Sequence, residues 1–148
     1  MQRRSFEEAL EIILKEDSRY PAEAYFFLRE GLDYTIKALE KPTNGPARHV
    51  SGRELLEGLR VFAVQEFGPL ALTVLKAWGI TRTEDFGEIV FNLVDKGVLG
   101  KTNEDKRQDF ADGYRFEDAF VKPFQPKRPR QAAEPSVVPR TVRMNPNE

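Results

Sequence analysis

Three times in this sequence a hydroxyl residue stands three places before a glutamate at the head of an apolar run: Ser5 with Glu8, Ser51 with Glu54 and Thr81 with Glu84. In such a capping box the hydroxyl accepts from the third backbone N–H of the helix, and the glutamate returns to the N–H of the cap. Two donors that every helix start leaves unpaired are thereby satisfied together. Repetition of this signature points to a mainly α fold. Glycines supply the matching stops: Gly68, Gly79 and Gly97 each follow a run of helical spacing, where a left-handed residue closes a helix.

Between these marks the spacing predicts about five helices. Phe6, Leu10, Ile13 and Leu14 make one stripe of a helix through about Asp17, with Glu7, Glu11 and Lys15 outward. Pro21 suits the first position of a second helix reaching about Glu40. Residues 41–49, KPTNGPARH, read as a loop. Leu55, Leu59, Phe62 and Ala63 stripe a third helix, Pro69 opens a short apolar one, and a fifth covers residues 84–97. Beyond it, VLGKT and GYRFED are expected to pair as a C-terminal β-hairpin. Helix, short helix, turn, helix and hairpin is the element order of a winged helix. Residues 51–118 are therefore expected to be winged-helix-like, within a single helical domain spanning 1–122.

Charge divides the chain at the same place. Residues 1–120 carry 17 Lys and Arg against 22 Asp and Glu, whereas residues 121–148 carry 6 against 2 and six of the ten prolines. So basic and Pro-rich a segment lacks the apolar surface that offsets the entropy of ordering. Residues 123–148 are expected to form a disordered tail. Its cluster Lys127, Arg128 and Arg130, with Arg140 and Arg143 beyond, is a candidate contact for nucleic acid or for an acidic protein surface. Pro123, Pro126 and Arg128 also fit a polyproline ligand pattern.

Several chemistries are disfavoured by residue type. Residues 95–105, DKGVLGKTNED, end like a phosphate-binding loop, but the position of its first glycine is Asp95, whose carboxylate repels phosphate. The order is also inverted, since a helix precedes the motif rather than following it. His49 is the only histidine and cysteine is absent, a poor donor set for zinc, so neither a metal nor a cofactor is expected. A nucleophilic triad around Ser51 and His49 competes with the capping role of Ser51, and no nucleophile elbow occurs. No stretch reaches the roughly 20 apolar residues of a membrane span, and glutamates interrupt the N-terminus at once. A cytoplasmic protein is expected.

Two surface features bear on function. In AYFFL, residues 24–28, consecutive large side chains point around a helix in different directions. Either that helix is buried on most sides, or an aromatic such as Phe26 or Phe27 reaches a partner. On the helix over 84–97, a core face of Phe86, Ile89, Val90 and Leu93 leaves Glu84, Glu88 and Asp95 opposite. Three carboxylates there oppose entry into a DNA groove, where affinity rests on Lys and Arg. The same ridge suits a basic protein partner, or water.

Residues 20–35, 48–80 and 85–120 together resemble an uncharacterised family of small proteins found mainly in planctomycetes and verrucomicrobia. The resemblance covers about residues 5–120 and implies a bacterial, cytoplasmic origin. It brings no activity, cofactor or catalytic residue. The expectation for function is a non-enzymatic protein-interaction module with an acidic domain and a basic tail. The alternative is a nucleic-acid- or ribosome-associated winged-helix-like protein, and a third class is an enzyme using carboxylates with His49.

Overall fold

Both serine boxes form. In the computed structural model, which describes residues 5–39, 50–99 and 107–126, Ser5 caps helix α1 (Phe6–Glu16) and Ser51 caps helix α3 (Gly52–Phe67). Each hydroxyl accepts from the backbone of Glu8 or Glu54, at 3.1 and 3.0 Å, and each glutamate accepts from the backbone N–H of its serine. Between them lies α2 (Ala22–Ala38), with Pro21 one place outside the helix as its cap. After α3 come a 3-10 turn at Gly68–Leu70, α4 (Ala71–Ala77), α5 (Thr83–Asp95), a second 3-10 turn at Arg107–Phe110, α6 (Phe116–Phe120) and a last turn at Lys122–Phe124. The fold is mainly α, as the capping pattern implied. The loop over 41–49, with His49, lies outside the described residues, as do GKT and the tail from Lys127.

The third box does not form. Helix α5 begins two residues later than Thr81, with Arg82 at its cap and no side chain closing it. Asp85 takes the place that Glu84 was expected to fill. Its Oδ2 accepts from the Thr81 backbone N–H at 2.9 Å, while its Oδ1 accepts from the Tyr20 hydroxyl at 2.5 Å. The four-residue reach closes the turn and ties it to the start of α2 as well. Glu84 instead accepts from the Asp112 N–H at 3.3 Å.

The C-terminal β-hairpin is not observed. Among the described residues there is no strand, and the stretch read as its second strand runs into α6. Tyr114 and Phe116 alternate like a strand, but Phe116, Ala119 and Phe120 are the buried residues, at helical spacing. The Phe116 and Phe120 rings meet edge to face at 5.0 Å, and the Tyr114 hydroxyl donates to the Leu56 carbonyl of α3 at 2.9 Å. Packing on α3 therefore favours a helical turn where local alternation favoured a strand, and no wing accompanies α4 and α5 among the described residues.

Phe27 is the hub of the core. It is 4% exposed, and its ring lies 5.4 Å from Phe62, 5.8 Å from Phe67, 5.6 Å from Trp78 and 6.5 Å from Phe86. One ring thus joins α2, α3, α4 and α5, and its burial contributes about 1.5–3 kcal/mol. Helices α2 and α3 come close where Gly31 faces Leu59 and Gly58 faces Thr35. A methyl group on Gly58 would stand on the Thr35 hydroxyl, which is buried and donates to the Gly31 carbonyl at 2.7 Å.

The most apolar run, Gly52–Ala77, has the length and composition of a membrane-crossing helix. It is not one rod. Gly68 breaks it with φ +55 and ψ −136, and the chain turns so that Trp78, the cap after α4, sets its ring 5.8 Å from Phe67 at the end of α3. What a single helix would offer to lipid is here folded into a corner.

Candidate functional site

Two surfaces concentrate unusual chemistry, a charged network beside α5 and an apolar corner between α3 and α4. The network starts at the α1–α2 turn. Asp17 caps the end of α1, accepts from the Arg19 backbone at 3.0 Å and holds the Arg19 guanidinium at 2.9 and 2.6 Å. Asn92 of α5 donates to Asp17 at 3.0 Å and to the Tyr25 hydroxyl at 2.9 Å. Arg19 reaches on to Glu88 at 3.2 Å, and Arg107 meets the same oxygen at 3.0 Å. The Arg19 hydrogen bonds hold the Asp17 carboxyl well below the usual carboxylate range, with Asn92 adding to the effect. Burial pushes the Tyr25 phenol up, and burial with the Asp85 carboxylate does the same to Tyr20.

These contacts change how the ridge on α5 reads. Glu88 is bridged by two guanidinium groups, Glu84 is engaged by the Asp112 backbone, and Asp95 is exposed at the helix end. Only the last is a bare carboxylate. Asn92, the one side chain of α5 suited to reading a base, has its amide committed to Asp17 and Tyr25. Helix α5 is a structural helix tied into its neighbours, not a face held open for a groove.

The aromatic pair separates in the same way. Phe27 is in the core, so it is not a partner contact; its position on α2 faces α3 and α5, which spacing alone did not reveal. Phe26 is half-buried on the other side, 5.2 Å from the Phe6 ring of α1, and the Arg29 guanidinium covers both rings at 4.2 Å from Phe6 and 5.3 Å from Phe26. A guanidinium over two rings shields apolar surface while keeping charge in water.

A depression of about 480 Å³ lies where the starts of α5 and α6 meet, lined by Arg82, Glu84, Tyr114, Arg115 and Glu117 among others. Its walls carry charges of both signs. The buried Thr83 hydroxyl beneath it already donates to the Phe110 carbonyl at 2.6 Å and accepts from the Gly113 N–H at 3.1 Å. Burial also pushes the Tyr114 phenol up, but its hydroxyl is spent on Leu56. No three Asp, Glu or His side chains converge as metal ligands among the described residues.

The apolar corner is different. Leu70 is 63% exposed, more than Leu39 or Phe124, the other large apolar residues left in water among the described residues. Pro69, Thr73 and Ala77 are exposed beside it in the chain, and Leu72 and Val74 are half-buried. In the most apolar window of the Gly52–Ala77 run, only 22% of the residues are buried. Sequence reasoning read Pro69–Gly79 as a short apolar helix and did not mark it as exposed, since apolar spacing does not say which side a neighbour covers. The signal was present as nine residues, Phe67–Leu75, without a charge in a chain that is 32% charged. No family model, curated protein or solved structure matches the chain.

Proposed function

We propose that the chain is a non-enzymatic protein-interaction module working through the α3–α4 corner. The observation that carries this is Leu70, at 63% exposure in the chain's most apolar run. Folded proteins leave many single apolar side chains in water, but an uncharged run around a protruding leucine is the composition of an interface centre. The basic residues Lys127, Arg128, Arg130, Arg140 and Arg143, which lie outside the described residues, would add a weaker, salt-sensitive contact to an acidic protein or to nucleic acid. A cytoplasmic setting fits a chain without cysteine whose apolar run is broken at Gly68.

The test is capture from cell extract, with and without nuclease treatment, with three full-length baits: the natural chain, Leu70→Asp, and a chain with the five tail residues replaced by glutamine. A protein retained by the natural and tail-neutral baits but lost with Leu70→Asp supports the corner. Retention by all three would sink it. Loss after nuclease, or with the tail-neutral bait alone, would transfer the function to nucleic acid and the tail.

A further inference from the structure

We draw no further inference here: the strongest candidate, the depression of about 480 Å³ where α5 and α6 begin, is lined by Glu84, Asp112 and Glu117 as well as by Arg82 and Arg115, and the buried Thr83 hydroxyl beneath it is already bonded to the Phe110 carbonyl and the Gly113 N–H, which leaves nothing in it that selects a ligand.

Discussion

Two connections between helices show opposite uses of the same local device. The segment Arg107–Gly113 and the turn Gly68–Leu70 each contain a left-handed residue, Asp112 at φ +53 and Gly68 at φ +55, and each carries one large apolar side chain. Phe110 is 3% exposed; Leu70 is 63% exposed. The difference lies in what waits for the side chain. Phe110 fits against Gly52 of α3 and Gly87 of α5, where a methyl group on either glycine would approach Asp109 or Phe110 to 2.9 Å, and Thr83 pins the backbone on both sides of the bend. Around Gly68 a methyl group would meet nothing within 4 Å. One turn is a wedge driven into the core, and the other is a projection into solvent. A connection that is packed, hydrogen-bonded and strained holds the fold together, whereas one that is bare and apolar is available for contact.

The largest expected effect lies at the wedge. Phe110→Ala removes a ring held between α3 and α5 and is expected to cost about 3–5 kcal/mol in chemical denaturation. A cost below about 1 kcal/mol would mean that the wedge is not a structural element and that the contrast fails. A third connection, the α1–α2 turn, sharpens the comparison through charge. Asp17→Ala should cost about 1.5–3 kcal/mol at pH 7, the range for hydrogen bonds to a charged group. Because the folded carboxyl of Asp17 is depressed, its stabilisation is fully present above the ordinary carboxylate value of 3.8 and is lost as pH falls through the folded one. The stability difference between Asp17→Ala and the natural chain should therefore shrink on acidification below about pH 4. A difference independent of pH would remove the ionised network from the account.

Smaller effects belong to the projection. Gly68→Ala meets no neighbouring group, but φ +55 with ψ −136 is a backbone conformation that strains any side-chain-bearing residue, and the change is expected to cost about 1–3 kcal/mol in melting experiments. A larger loss would show that this turn is packed after all. Leu70→Asp should change the stability of the chain by less than about 0.5 kcal/mol, as surface substitutions do. If it destabilises the isolated chain, Leu70 is a core residue in solution and not a contact.

Much of the helical framework was legible in the residues. Ser5, Ser51, Gly68, Gly79 and Gly97 each mark a helix end, because a cap and a left-handed glycine act within one turn of backbone and need no distant partner. Thr81 was misread because the deciding contact comes from elsewhere: Asp85 is drawn into a joint bond with Thr81 and with Tyr20, 65 residues away in sequence. Tyr114–Phe120 was misread for a similar reason, since alternation over four residues fits a strand and the fit of Phe116, Ala119 and Phe120 on their neighbours fits a helix. Phe26 and Phe27 stood as equals in the sequence, yet one ring is the centre of the core and the other lies under Arg29.

What the sequence determined by itself is the mainly α character, the starts of α1 and α3 and the glycine stops. Backbone donors, short side chains and φ preferences act over a few residues, so their effects are written locally. Tertiary structure decided which faces are covered: Phe27 inward, Glu88 bridged, Asn92 spent, Phe110 wedged and Leu70 left out. Burial is a relation between segments far apart in the chain. An apolar run therefore states a demand for cover, and only the packed fold shows where that demand goes unmet.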